Sequence, residues 1–380
     1  MHIQVPVNNR NEMLLSTIDP FDSRGDLIRA ASVVIWDEAP MVNRAVVACV
    51  DDICQKVMQN SQPFGGKIII LLGDFRQTCP VVRGGSQADI IDASIKSSPL
   101  WPLFQLFPLS MPIRNADDPE FASWVDNIGD GASPEINLDF ISRACSHDEL
   151  LDFVYPSEVL ADPSCCLRRA ILCPTNMQVN MYNESIVCRI DGVHRTYLAA
   201  DSLQEADEVG LIPPQHVLDY VAAHTPPGLP HHTLNIKVNA VYCLMRNFSI
   251  DAGLVKNTRV IVTGIGTRLV TVRILRGIGG GCFIDAEDIL LPRINFTHTL
   301  HSGHTLLRRQ FPLSAAYATT FNSCQGLTLD RVGVDLTTPV FSHGQLYTAL
   351  SRIRHRDHAR VLLDADSHST INVTYHELLL

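Results

Sequence analysis

Two acidic residues, Asp37 and Glu38, follow directly on the apolar run Ser32-Val33-Val34-Ile35-Trp36. The carboxyl end of a strand is where open α/β sheets gather their ligands. Hydrolysis of a nucleotide needs one carboxylate to hold Mg²⁺, usually through water, and another to orient or deprotonate the attacking water. Asp37 suits the first task and Glu38 the second. An ordinary strand-to-helix turn with a capping aspartate is the competing reading, and the pair alone leaves both open. A second apolar run, Lys67-Ile68-Ile69-Ile70-Leu71-Leu72, ends in Gly73-Asp74-Phe75-Arg76-Gln77. Gln77 could there sense a terminal phosphate or position water, or be a surface amide. Two polar strand ends meeting at one sheet edge favour the functional reading.

The elements that would hold these residues can be read from the hydrophobic pattern. Both runs are short and β-branched, as central strands of a parallel sheet buried on both faces are. Between them, 42–59 has helical periodicity, which completes a strand–helix–strand unit. Further strands are expected at 170–173, 315–320, 332–336 and 361–363, with helices at 176–189 and 344–351. Residues 200–230 are rich in Pro, Asp and Glu and read as a loop-rich insertion. After them, 259–264, 268–275 and 282–291 alternate and are split by glycine turns, as a small antiparallel barrel would be. The expected class is α/β: two α/β cores, the second carrying a β insertion.

At 380 residues, 46% hydrophobic and 18% charged, the chain can bury a sizeable core, and global disorder is excluded. No apolar run reaches the roughly 18 residues a membrane helix needs. The first residues lack a signal-peptide pattern, and the 11 cysteines are odd in number and without a C-x-x-C pair. Reduced thiols in a cytosolic or nuclear protein are therefore expected. The formal net charge is −10, yet residues 246–310 hold nine Lys/Arg against four Asp/Glu. One basic segment in an acidic chain suits a local polyanion contact, or is a solvated basic face.

The residues then become more specific. Trp36-Asp37-Glu38-Ala39-Pro40-Met41 resembles motif II of the Pif-type (petite integration frequency) DNA helicases, in particular the branch carried by Helitron transposons. Phe64-Gly65-Gly66-Lys67 through Gly73-Asp74-Phe75-Arg76-Gln77 and Pro80-Val81 resembles their motif III. Leu109 to Arg114 with Asp117-Asp118-Pro119-Glu120-Phe121 is similar to motif IV, and Cys173-Pro174-Thr175-Asn176 to the opening of the second motor domain. Phe321-Asn322-Ser323-Cys324-Gln325-Gly326-Leu327-Thr328-Leu329-Asp330 resembles motif V, and Leu346-Tyr347-Thr348-Ala349-Leu350-Ser351-Arg352 motif VI. The matches run in family order from about residue 27 to 363.

The resemblance implies a superfamily-one ATP-dependent 5′→3′ DNA helicase with two RecA-like P-loop NTPase domains and ATP bound between them. The first domain, incomplete, would be 1–115; the second would be 116–200 with 311–380; the inserted β-barrel subdomain would be 201–310. Asp37 and Glu38 would serve Mg²⁺ and water, and Gln77 the γ-phosphate. Arg114 and Arg352 would be arginine fingers, since planar guanidinium groups bind spreading phosphoryl charge bidentately. Asp74, Gln325 and Gly326 would lie against the nucleotide. Asn322, Arg259, Arg268, Arg273 and Arg276 would contact DNA. The implied partners are single-stranded DNA and DNA junctions, in repair, recombination or telomere maintenance, in the nucleus and also the mitochondrion.

The sequence departs from the family in three places. No G-x-x-x-x-G-K-[ST] phosphate loop occurs; Gly65-Gly66-Lys67 is followed by Ile68, and Ser61 stands where the first glycine belongs. The expectation is that the first strand and its loop lie beyond Met1. Ser323-Cys324 replaces the usual Lys-Ser of motif V, removing a cation. Pro112 and Ile113 replace the Asn and Met that usually precede Arg114. A second reading follows, a catalytically inactive remnant that binds single-stranded DNA or a partner. An ordinary P-loop ATPase without a DNA role is disfavoured by motifs IV to VI.

Overall fold

The computed structural model describes residues 13–82, 84–204, 222, 225–278, 281–300, 305–365 and 367–380. Two parallel sheets organise it. In the first unit Val33–Trp36 pairs with Ile68–Leu71, with Trp36 opposite Leu71. The helix Arg44–Met58 connects them, started by Asn43, whose Oδ1 accepts from the Ala45 N–H at 2.9 Å. It stops at Gln59, which turns left-handed at φ 51°. One apolar face of this helix packs under the pair with Ile69, Leu71, Trp36 and Phe75.

The expectation that both strands are buried on both faces is corrected by the structure. Their residues alternate between exposed and half-buried, and Ile35 and Ile68 stand 66% and 61% exposed. Only two strands pair in this sheet among the described residues, so one apolar face lies bare. The segment 105–112 beyond it has no regular secondary structure, and Leu109, Met111 and Ile113 are almost fully exposed.

The second unit has five parallel strands in the order Ala318–Thr320, Arg169–Cys173, Arg331–Asp335, Ala359–Leu362, Arg143–Ala144. The helices expected at 176–189 and 344–351 are present as Asn176–Arg189 and Gln345–Leu350. Thr175 caps the former through Oγ1, which accepts from Gln178 N–H. The helix Pro119–Gly129 joins this unit, capped by Asp118 with proline at its first position.

Between Asn176–Arg189 and Ala318–Thr320 lies the β insertion. Its largest sheet is antiparallel, in the order Gly281–Ile284, Leu269–Ile278, Arg259–Ile265, Val241–Leu244, Leu313–Ala315, with Ile289–Pro292 also on Leu269–Ile278. The strand expected over 282–291 is two strands. Pairing along this path does not close into a ring among the described residues, so the sheet is open where a barrel was expected. A second antiparallel sheet runs Ile294–Thr299, Thr305–Gln310, Ala200–Gln204.

Candidate nucleotide site between the two α/β units

The turn after Val33–Trp36 is tight. Ala39 N–H donates to Leu72 O at 2.9 Å, and Glu38 N–H to Asp37 Oδ1 at 3.0 Å. Glu38 is held left-handed at φ 52°, a conformation that costs a non-glycine residue of order 1 kcal/mol or more. The neighbouring strand ends in Gly73, where a Cβ would lie 2.2 Å from Pro40 Cδ. Glycine is thus required for the two polar strand ends to meet. Asp37 is exposed and Glu38 half-buried. Burial holds the Glu38 carboxyl above its ordinary range, with Asp37 and Asp74 adding to it and Arg352 and Arg114 opposing it. The two carboxylates and the two arginines therefore share one electrostatic neighbourhood.

Neither arginine has an acidic partner within salt-bridge distance among the described residues. Arg352 is 3% exposed; its Nε donates to Thr348 O at 3.2 Å and its Nη2 to Ser351 Oγ at 2.9 Å. Arg114 donates through Nη1 to Ser351 O at 2.8 Å. Burial and the Arg352 charge push the Arg114 guanidinium down from its ordinary range. Arg352 is the buried one and Arg114 is exposed at the mouth of the site; a buried cation with no counter-charge costs several kcal/mol unless an anion comes to it. Beside them Gln325 Nε2 donates to Gln77 Oε1 at 3.4 Å, while Gln325 Oε1 is buried and unpartnered. Gly326 is exposed and left-handed at φ 77°.

Asp74 has another place than expected. Tyr347 OH donates to its Oδ2 at 2.6 Å, and Arg76 takes its Oδ1 through backbone N–H and Nε. Burial alone would raise its carboxyl, but these bonds outweigh burial and hold it below the ordinary range. Arg76 also pairs with Asp126 at 2.8 Å and lies 4.7 Å over the Tyr347 ring. This clamp joins the units, so Asp74 is spent on the joint. Around it, Thr78 N–H donates to Thr348 Oγ1, and Gly344 sits so close that a Cβ would be 2.3 Å from Arg76 O. His343, fully buried, faces Phe75 O through Nε2 at 2.9 Å and accepts Tyr375 N–H at Nδ1. Sequence reasoning assigned no role to Arg76, His343 or Tyr347. The signal for Arg76 and Tyr347 was their position inside the motif III and motif VI segments; His343 lies outside both. A cavity of about 730 Å³ opens beside the clamp, lined by Asp74, Arg76, Arg114, Asp126 and Tyr347. Asp37, Glu38, Gln77 and Arg352 are not among its lining residues.

The residues expected to touch DNA are mostly engaged internally. Arg259 Nη1 donates to Cys166 O and Leu167 O, at 3.0 and 2.8 Å. Arg273 pairs with Asp288 and Arg276 with Asp285, each at 2.7 Å. Arg268 is exposed on the turn before Leu269–Ile278, with no partner among the described residues. Asn322 Oδ1 accepts from Gln345 Nε2 at 3.2 Å. Two of the four arginines, Arg273 and Arg276, are thus paired with carboxylates, while Arg259 is held by backbone carbonyls.

Known proteins carry the same pattern. The family model described as PIF1-like helicase matches residues 1–138. The zebrafish and human ATP-dependent DNA helicases PIF1 are 27% and 28% identical over 332 residues, each covering 87% of this chain and 46% of the relative. The chain spans about half the length of these curated relatives. Among solved structures, a Pif1 helicase from Bacteroides in complex with ADP-AlF3 and single-stranded DNA superposes with TM-score 0.63 at 22% identity, over 96% of this chain and 76% of that one. The Pif1 helicase of Candida albicans gives 0.59 at 24%, over 88% and 73%. At this identity the structures establish the fold, that of two RecA-like units.

Proposed function

We propose that this chain, a relative of the PIF1-like helicases, forms part of an ATP-driven motor acting on single-stranded DNA and DNA junctions. The observation that carries the reading is the pair Arg114 and Arg352, without acidic partners among the described residues and both acting on the Glu38 carboxyl. Cations held without counter-ions opposite strand-end carboxylates fit a phosphate with its metal. Mg²⁺-bound ATP would supply the hydrolysable phosphoanhydride. Asp37 would hold Mg²⁺ through water, Glu38 would take the proton of the attacking water, and Gln77, hydrogen-bonded to Gln325, would report the terminal phosphate across the cleft. Arg114 and Arg352 would neutralise charge as it develops on the phosphoryl group. The raised carboxyl of Glu38 suits a general base better than an ordinary glutamate would.

The same reading assigns 1–115 to the first motor domain, 116–200 with 311–380 to the second, and 201–310 to an inserted subdomain. A DNA motor works where DNA is kept, so the nucleus, and also the mitochondrion, are the proposed compartments. The second reading is a remnant that binds single-stranded DNA or a partner without turnover. Binding of a fluorescent ATP analogue with Mg²⁺ tests the shared part. Arg352→Ala or Arg114→Ala should weaken it by about tenfold, the range of one charge-assisted contact. Unchanged binding in both variants defeats the site assignment. Turnover by this chain should be negligible; DNA-stimulated hydrolysis that disappears in Glu38→Gln favours the motor over the remnant.

A further inference from the structure

We propose that the cavity between the helix Asn176–Arg189 and the inserted strands binds a single unstacked nucleobase. This rests on the single-stranded DNA reading above and gives it a second contact, away from the nucleotide cleft. The cavity holds about 220 Å³, lined by Asn180, Asn183, Glu184, Leu234, Tyr242 and Ser314. That is below the roughly 300 Å³ at which pockets for drug-sized ligands begin, and it suits one flat ring.

The polar groups are built in. Asn183 is 6% exposed, and its Oδ1 accepts from Tyr317 N–H and Ala318 N–H, both at 3.0 Å. These two bonds fix the amide, so Nδ2 must be the donor left over, and it finds no acceptor among the described residues. Asn183 lines the cavity, so this nitrogen is open to donate to a ligand carbonyl or ring nitrogen there. Asn180 Oδ1 is likewise occupied, by His231 Nε2 at 3.3 Å, which leaves its Nδ2 to donate. Burial lowers the His231 ring from its ordinary range, and its neutral form can accept Thr225 Oγ1–H at Nδ1 while donating from Nε2. Glu184 offers an acceptor for an exocyclic amino group.

One part of the lining is apolar. Tyr242 is held by both sides of its hydroxyl, which donates to Asn235 O and accepts from Lys237 N–H at 3.1 and 3.0 Å. Val187, Cys188, Leu234 and Ala315 make up the rest of that apolar part. Among the described residues no lysine or arginine lines the cavity; Lys237 Nζ beside it is taken up by Val187 O and Cys188 O. A neutral ring with hydrogen-bonding edges therefore suits this lining better than a phosphate. Bases pulled out of a strand are read in this way, by edge hydrogen bonds between apolar or aromatic walls.

The test compares a labelled oligothymidine with an abasic strand of the same length, by fluorescence anisotropy with the full chain. One sequestered base should give about a tenfold preference for the thymidine strand, since such contacts are worth roughly 1–3 kcal/mol. Cys188→Trp, at an exposed lining position, should plug the cavity, and Asn180→Ala should remove one donor. Both should erase the preference while leaving abasic binding unchanged, with circular dichroism melts checking that each variant folds. Free thymidine should compete for the base-dependent part if the pocket accepts nucleosides as well as strands; no competition assigns it to strands alone. A preference that survives both variants, or no preference at all, overturns the proposal. If neither strand binds at low salt, the DNA reading itself fails. Calorimetric titration of thymidine against wild type and both variants then decides the pocket, with heat lost in the variants supporting it and no heat in wild type overturning it.

Discussion

In the second α/β unit Ile171, Leu172 and Val334 are wholly buried, whereas in the first Ile35 and Ile68, also on paired parallel strands, stand 66% and 61% exposed. The strand sequences are alike; their surroundings are not. Along Arg169–Cys173, Ile171 and Cys173 enter one core with the helices His147–Val154 and Asn176–Arg189. Ala170 and Leu172 enter another with Pro119–Gly129 and Gln345–Leu350. In the first unit the helix Arg44–Met58 covers one face and nothing described covers the other. A continuous apolar run therefore fixes that a strand forms, while burial on both faces depends on helices contributed from elsewhere. The bare face is also an association hazard, because apolar side chains there adjoin the unpaired edge of a strand.

The largest expected effect tests this contrast directly. Ile171→Ala should cost about 2–5 kcal/mol, because it opens a cavity in a closed core. Ile35→Ala should cost less than about 0.5 kcal/mol, as a surface substitution does. Urea midpoints measure both, and comparable losses would mean that the first sheet is covered in solution. Next is the joint between the units. Gly344→Ala places a Cβ against the Arg76 carbonyl at a left-handed residue, and should destabilise by about 1–3 kcal/mol. Proteolysis between the units would report it as faster cleavage, and an unchanged pattern would show that the clamp of Asp74, Arg76 and Tyr347 is not what holds them.

The smallest effect concerns Glu38. Its carboxyl is raised in the folded chain, so ionising it opposes folding; that stability is present at low pH and lost as pH rises through the folded value. Glu38→Gln should therefore raise Tm slightly at neutral pH and lose its advantage below the ordinary glutamate range. A variant less stable at neutral pH would contradict the burial of this carboxylate among Asp37 and Asp74.

Much of the architecture was legible in the sequence because strand runs and helical periods are local signals. The helices at Asn176–Arg189 and Arg44–Met58 and the strand ends bearing Asp37, Glu38 and Gln77 lie where the pattern puts them. What was not legible depended on partners distant in the chain. Arg273 and Arg276 meet Asp288 and Asp285 only once Leu269–Ile278 pairs with its neighbours. Asp74 receives the Tyr347 hydroxyl from 273 positions away. Asn183 gave no signal of its own; its unpaired amide nitrogen exists only because Tyr317 and Ala318 fix its oxygen.

The ring of His343 carries a consequence for the order of folding. Its two nitrogens are satisfied by Phe75 O and Tyr375 N–H, chain positions 268 residues before it and 32 after. Closing so long a loop must await non-local contacts, which form slowly compared with helices and hairpins. The second sheet depends on long-range pairs as well, Arg143 with Val361 among them, and this histidine gains both bonds only when residues 75, 343 and 375 have been brought together. Until that joint closes, the loop bearing Arg76 and Gln77 lacks the surface that orders it. The competence of the cleft therefore rests on contacts from three distant stretches of the chain.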